Sequence, residues 1–293
     1  MLQITVLGAA GQVAGLFISH LTTDDRVDVH RVDVRAGARV MQADVLEPHA
    51  TLKQALHASD VVLNCLPDNV AAQAIAGLLG ELRPGALLVD TLSVKGPYLA
   101  KLSEVVHAEC LSLNPLFGPD IGFAGQSLAW VSMRGGPRTE DFRRRLHGWG
   151  ARTIDMSVDE HDRTMAVMQA GVHAAVLAWG RLVTDLPPSV IAELSGTPPF
   201  QVMSLLLSRI ATGNPNVYSD IQAVNGYAAD ARREMREVLT DLDVWSAQGD
   251  RARFARYLAE LSAAFGPGLS ERTRQCAAIF SALKDLDSGH QGS

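Results

Sequence analysis

The sequence predicts an α/β protein, with a doubly wound parallel sheet in its first half and an all-helical domain in its second. Three observations predict this. Short apolar runs bounded by turn residues alternate with helical patterns over the first half, and most of those runs lack in/out alternation, as strands buried on both faces of a parallel sheet do. A glycine-rich turn joins the first run to the first helical pattern. After about Ile154 strand signals stop and long stretches with 3.6-residue apolar periodicity follow. The expected domains are therefore residues 1–154 and 155–293.

In order, strands are expected at 4–7, 27–32, 61–66, 86–89, 110–113 and 128–133, with helices at 12–21, 70–82 and 139–149. Strands and helices alternating in this way build parallel βαβ units. The helical domain is expected to hold 159–182, 199–212, 217–247, 251–265 and 270–286. Pro187-Pro188, Gly213-Asn214-Pro215 and Gly266-Pro267-Gly268 punctuate it, because proline and glycine interrupt helices. The last residues, 288–293, read as a frayed tail.

The chain has 293 residues, 47% apolar and 20% charged, an ordinary composition for a globular protein of about two domains. Its formal charge of −6 offers no net positive field to a polyanion, so nucleic acid is not an expected partner. Cys65, Cys110 and Cys276 are too few and scattered for a disulfide framework or a metal site, and read as inert buried thiols in a reducing compartment. The uncharged stretch 165–180 is shorter than the ~18 to 20 residues of a membrane span and contains Gln169 and His173. It reads as a buried helix, and no membrane partner is expected. Met1-Leu2-Gln3-Ile4 leads straight to the glycine turn without a basic segment or cleavage site, so the expected location is the cytoplasm.

Gly8-Ala9-Ala10-Gly11-Gln12-Val13-Ala14 follows the first strand and opens the first helix. There a helix N-terminus and its dipole can hold a pyrophosphate. The segment departs from G-x-G-x-x-G at Ala9 and Ala14 but fits G-x-x-G-x-x-A. Asp33 ends the second strand about 20 residues past Gly11, where an acid accepts from the adenine ribose hydroxyls and repels a 2′-phosphate. NAD is the expected cofactor, with Arg31 and Arg35 leaving NADP as the alternative. Its expected contacts are Gly8, Ala10, Gly11, Gln12, Val13, Asp33, Leu66 and Pro67. Short-chain dehydrogenases share such a turn but need Tyr-x-x-x-Lys, and none of Tyr98, Tyr218, Tyr227 or Tyr257 has a lysine four residues on.

Four other segments stand out: Asp90-Thr91-Leu92-Ser93-Val94-Lys95, then Leu113-Asn114-Pro115-Leu116-Phe117-Gly118, then Glu160-His161-Asp162 opening a helix with Gln169 and His173, and last Arg209 to Tyr218. From the first strand to about Pro267, the chain resembles the prephenate dehydrogenase family of aromatic amino acid biosynthesis. The resemblance implies a Rossmann-like nucleotide-binding domain and a helical domain that dimerises, so a homodimer through residues after about Val158 is expected. It also implies oxidation of C4 of a cyclohexadiene by NAD(P) while C1 loses its carboxylate. By the same resemblance Ser93 hydrogen-bonds near the C4 substituent, Arg209 binds a substrate carboxylate, and His173 and Tyr218 line the pocket. Gln169 precedes His173 by four residues, which puts both on one face of an α-helix. His161 and Asp162 read as organisers of a helix start, and no residue set has zinc spacing, so no metal is expected.

The family's catalytic histidine stands immediately before the proline of a His-Pro-φ-x-Gly segment, and here that position is Asn114. Hydride loss from a C4 carbinol leaves an oxocarbenium unless a general base removes the O–H proton, work that suits imidazole. An asparagine amide takes no proton; its carbonyl only accepts a hydrogen bond. An amine at C4 needs no such base, because the nitrogen lone pair supports hydride departure as an iminium forms. The expected reaction is therefore NAD-dependent oxidative decarboxylation of 4-amino-4-deoxyprephenate to 4-aminophenylpyruvate, CO2 and NADH, with Asn114 and Ser93 as catalytic residues. The resemblance then implies a role in specialised metabolism such as antibiotic biosynthesis. Prephenate or arogenate oxidation with a displaced base, another NAD(P)-dependent oxidoreductase, and an inactive ligand-sensing relative are the alternatives.

Overall fold

Apolar runs without alternation become strands here because helices cover both faces of the sheet they join. The structure, a computed structural model, describes residues 1–102, 107–194 and 196–290, with all their side chains except those of Pro97, Lys101, Leu194 and 286–290. Two units make up the chain: Met1–Met165 with Ala223–Gly226, and Ala166–Gln222 with Tyr227–Ser293.

The first unit runs β1 (Leu2–Leu7), α1 (Gln12–Leu21), β2 (Val27–Asp33), β3 (Val40–Gln42), α2 (Ala50–Ala58), β4 (Val61–Asn64) and α3 (Asp68–Glu81). It continues with β5 (Leu87–Asp90), α4 (Gly96–Leu102), β6 (Glu109–Pro115), β7 (Ser127–Arg134), α5 (Pro137–Gly148), β8 (Arg152–Asp155) and α6 (Val158–Met165). The strands pair in the order β3-β2-β1-β4-β5-β6-β7-β8. Leu7, Val32, Val62 and Leu88 face Leu56 of α2, Ile75 of α3 and Leu99 of α4 in one core. Ile4, Leu63, Val89 and Leu113 face Phe17 of α1 and Phe142 of α5 in the other. Successive residues of a strand thus feed opposite cores.

The strand order reverses at β1, which lies between β2 and β4. Ligands of such sheets bind beyond the carboxyl ends of the strands at this reversal. Leu7, Asp33, Asn64, Asp90 and Asn114 stand at those ends of β1, β2, β4, β5 and β6.

The sheet is mostly rather than wholly parallel. β7 runs antiparallel to β6, and β8 parallel to β7. Only a 3₁₀ turn, Pro119–Ile121, lies between β6 and β7, and a parallel return needs a longer crossover, usually a helix. Four further elements of this unit were not expected, namely β3, β8, α2 and α4, and in the helical unit neither was the helix Pro188–Leu194. β3 has three residues and β8 is largely exposed, so neither offers an apolar run to read.

The second unit is helical. A π turn (Ala166–Gly171) leads to α7 (Val172–Val183), α8 (Pro188–Leu194), α9 (Pro198–Ala211), α10 (Pro215–Ala223), α11 (Ala228–Gln248), α12 (Arg251–Phe265) and α13 (Gly268–His290). The stretch expected as 217–247 is two helices, α10 and α11. The units part after Met165 instead of after Ile154 because α6 is hydrogen-bonded into the sheet unit, Asp162 to the N–H groups of Lys95 and Gly96 and His161 to Asn114. Asn225 donates to the Asp162 carbonyl at 2.8 Å, which attaches residues 223–226 to the same unit.

Two expectations of burial are corrected. Cys276 is exposed, whereas Cys110 is buried and Cys65 partly so. The helical run Val158–Val183 has a mean hydropathy of 1.2 in its most apolar window, enough by length and composition to cross a membrane. It is not a buried helix within one chain, since Val167, Met168, Val172 and Leu177 are exposed. Its first turns nevertheless hold His161 and Asp162 within the hydrogen-bonded network of the sheet unit.

Candidate active site

Gly8 has φ +74°, and a Cβ there would lie 2.7 Å from the Cys65 carbonyl oxygen just past β4. Only glycine allows that approach. Gly11 is the N-cap of α1 and makes no side-chain cap, so the N–H groups of Gln12 and Val13 at the helix start donate to no cap side chain and can serve a ligand. Leu66 N–H donates to Asn64 Oδ1 at 3.2 Å, and Pro67 is the N-cap of α3. Asp33 is buried, its Oδ2 accepting from Ala10 N–H at 2.9 Å and its Oδ1 from Arg35 N–H and Nε–H at 2.9 and 3.1 Å. Burial pushes the Asp33 carboxyl up, but the amides of Arg35 and Ala10 and the Arg35 guanidinium outweigh it and hold the pKa below the ordinary value. A glycine cradle, an open helix start and an ionised acid at the end of β2 fit a dinucleotide. Among the described residues no group of three or more His, Cys, Asp and Glu could hold a metal.

The ends of β5 and β6 are joined through Lys95, which is completely buried. Its Nζ donates to the carbonyls of Leu92 and Leu113 at 2.6 Å each and to Asp90 Oδ1 at 3.3 Å. Ser112 Oγ donates to the same Asp90 oxygen at 2.7 Å. Burial drives the Lys95 pKa down against the opposing pull of Asp90, Asp68 and Asp162. An ammonium is tolerated there because carbonyls and a carboxylate converge on it. Lys95 thereby ties the loop carrying Ser93 to the residue before Asn114.

Asn114 pairs with Ala129 across the β6 and β7 ladder and is nearly buried. Its Nδ2 lies 3.1 Å from His161 Nε2, and His161 Nδ1 lies 2.8 Å from Asp162 Oδ1. Asp162 accepts two backbone N–H groups besides, from Lys95 at 2.9 Å and Gly96 at 2.8 Å. Burial raises the Asp162 carboxyl, and the hydrogen bonds from His161, Lys95 and Gly96 more than reverse that. In the sequence, His161 and Asp162 read only as organisers of a helix start. The visible signal was the pair itself, two adjacent polar residues at an otherwise ordinary helix entry, but their partners lie 47 and 67 residues away.

In the second unit His173 and Tyr218 meet edge to face, with ring centroids 5.1 Å apart. Tyr218 O–H donates to the Arg209 carbonyl at 3.4 Å, and Gly213 leaves room for the ring, since a Cβ there would lie 2.5 Å from Tyr218 Cε2. His173 Nδ1 is buried without a hydrogen-bond partner, and burial lowers its pKa. Arg209 is exposed in the last turn of α9. Gln169 lies within the π turn, whose wider i→i+5 pattern removes the α-helical i, i+4 stacking that put it beside His173. His173, Tyr218 and Arg209 are thus brought together in one unit, and Asn114 and Ser93 belong to the other.

The fold and these residues define a dinucleotide-binding type of sheet unit followed by a helical unit. Residues 157–260 match the family model described as prephenate dehydrogenase, dimerization domain. The chain is 40% identical to a 4-amino-4-deoxyprephenate dehydrogenase of Streptomyces pristinaespiralis over 96% of its own length and 97% of the relative's. It is 28% identical to the T-protein of Haemophilus influenzae over 75% of its length and 55% of that protein's. Among solved structures, the prephenate dehydrogenase of Aquifex aeolicus in complex with hydroxyphenyl propionate and NAD+ superposes with a TM-score of 0.73 at 17% identity, covering 89% of this chain and 96% of that one. The arogenate dehydrogenase of Synechocystis gives 0.62 at 15% identity, covering 93% and 99%. The chain belongs to the prephenate dehydrogenase family, and as a member it is an oxidoreductase.

Proposed function

We propose that the protein catalyses the NAD-dependent oxidative decarboxylation of 4-amino-4-deoxyprephenate to 4-aminophenylpyruvate and CO2. The observation that carries this reading is Asn114, an amide at the position of the family's catalytic histidine, with its nitrogen directed at His161. The 40% identity to a 4-amino-4-deoxyprephenate dehydrogenase supports it.

NAD, when bound along Gly8, Ala10, Gly11, Gln12, Val13, Leu66, Pro67 and Asp33, supplies the hydride acceptor. The neutral amine of the substrate pushes its lone pair toward C4 as hydride leaves, and a C4=N bond forms. Breakage of the C1–carboxylate bond releases CO2 and returns its electron pair through the ring to nitrogen, which leaves an aromatic amine. No proton has to depart during the oxidation, so an amide at residue 114 suffices. A hydroxyl at C4 would require a base at that moment. Asn114 accepts an N–H of the amine through Oδ1, and Ser93 hydrogen-bonds beside it. Arg209 offers a planar fork to a substrate carboxylate, with His173 and Tyr218 beside it; Gln169, drawn into the π turn, is left out of this set.

The test is a comparison of substrates by NADH absorbance. Wild-type protein should oxidise 4-amino-4-deoxyprephenate and do little with prephenate or arogenate, both of which carry a hydroxyl. Asn114→His should gain prephenate oxidation, by up to the ~10² to 10⁴-fold that a positioned general base contributes. Robust prephenate turnover by the wild type with the amino compound untouched would refute the reading.

A further inference from the structure

His161 takes no step in the reaction above, yet it is fully buried against the residue on which that reaction turns. The chain of contacts fixes its proton. Asp162 accepts from Lys95 N–H, Gly96 N–H and His161 Nδ1, and an ionised carboxylate has no proton to give. Neutral His161 therefore carries its hydrogen on Nδ1 and a lone pair on Nε2. A lone pair faces the N–H side of an amide and repels its oxygen. The 3.1 Å contact to Asn114 thus determines which end of that amide turns toward the imidazole.

We propose that His161, held by Asp162, is a positioning residue that locks the Asn114 amide with its carbonyl oxygen directed at the C4 substituent of the substrate. The inference rests on the reading that Asn114 meets that substituent. It goes beyond it in making the acceptor character of residue 114 a property of three residues, Asp162, His161 and Asn114.

Protonation of His161 would reverse the arrangement, because an Nε2–H would demand the amide oxygen and present the NH2 to the substrate instead. Burial opposes that protonation, Asp162 on the same helix favours it, Lys95 opposes it and Asp90 on β5 favours it, and the balance lies below the ordinary imidazole value. The charged residue of β7, Arg134, is exposed at the strand's far end. A loss of kcat on the acid side of the ordinary imidazole range is the expected signature.

Two variants test this. Glutamine can place a carbonyl where Nε2 lies, so His161→Gln should keep kcat within about threefold of the wild type at neutral pH while losing the acid-side inflection. His161→Leu offers no acceptor and should lower kcat about tenfold, the worth of one hydrogen bond of ~1.4 kcal/mol, with the KM for NAD unchanged. Unaltered kcat in His161→Leu, or an unaltered acid inflection in His161→Gln, would overturn the proposal. A substrate-free readout keeps it separate from the choice of substrate and from any folding defect of the leucine variant. In ¹⁵N-labelled protein the imidazole resonances absent from His161→Gln should report an Nδ1–H tautomer and should move in Asn114→Ala. Resonances of the opposite tautomer, or ones indifferent to Asn114→Ala, would overturn the positioning role even if the substrate is as proposed. A different substrate with those resonances as expected would overturn only the functional reading.

Discussion

Asp33 does two things at the end of β2: one carboxylate oxygen holds the Ala10 N–H of the glycine turn, and the other holds Arg35. Removing it should therefore do more than delete a ribose acceptor. A hydrogen bond to a charged group contributes ~1.5 to 3 kcal/mol, so Asp33→Ala should weaken NAD roughly tenfold to a hundredfold. It also frees the guanidinium of Arg35, whose side chain is 65% exposed, to meet a 2′-phosphate. NADP should lose less than NAD, and adding Arg35→Ala should cancel that advantage. Titration of both cofactors against the variants checks this; equal losses for the two would show that Asp33 serves the turn through Ala10 and selects nothing. Asp33 and Asn114 are legible in the sequence because each stands at a set distance from a local mark, Asp33 at the end of the strand that follows the glycine turn and its helix, and Asn114 directly before a proline. Lys95 and His161 lie in segments that stand out in the sequence, but nothing local shows what they bind. Their importance comes from contacts with residues 18 and 47 positions away, which only the folded sheet brings near.

At the scale of elements, apolar patterning reveals the central strands and the long helices because each has a buried face of several residues. It misses β3, β8 and α4, whose few residues are placed by neighbours already in the sheet. It also misses the direction of β7, which depends on how little chain separates it from β6, and the π turn, which apolar spacing does not distinguish from an α-helix. Lys95 shows how such elements are fastened together. Its ammonium joins the carbonyls of Leu92 and Leu113 to Asp90, so Lys95→Met should leave Asp90 as a buried charge with only Ser112 Oγ and Leu92 N–H donating to it. Breaking a buried pair in this way costs about 3 to 5 kcal/mol. Urea unfolding should show that loss as a lower midpoint with little change in slope. A midpoint equal to the wild type's would mean that the ammonium is dispensable to the β5 and β6 junction.

For the whole molecule, the open question is what covers the helical unit. Val167, Met168, Val172, Leu177, Leu205 and Leu258 are exposed in a single chain, Val167 by 66%, and a monomer rarely leaves so many large apolar side chains to water. Residues 157–260 match a family model described as a dimerization domain, so the partner to test for is a second copy of the same chain. Light scattering at micromolar concentration should therefore give twice the chain mass of 31.4 kDa. Val167→Glu and Leu205→Glu together should shift the particle to the monomer, because burying two carboxylates in an apolar interface without partners is prohibitive. NAD binding should survive in that monomer, since the glycine turn and Asp33 belong to the sheet unit. Substrate oxidation and cofactor binding would then separate, with only the former sensitive to assembly if the second copy completes the substrate site. A wild-type particle of 31.4 kDa would refute the dimer, and a dimer that persists through both charged substitutions would place its interface on other exposed residues such as Leu258 of α12.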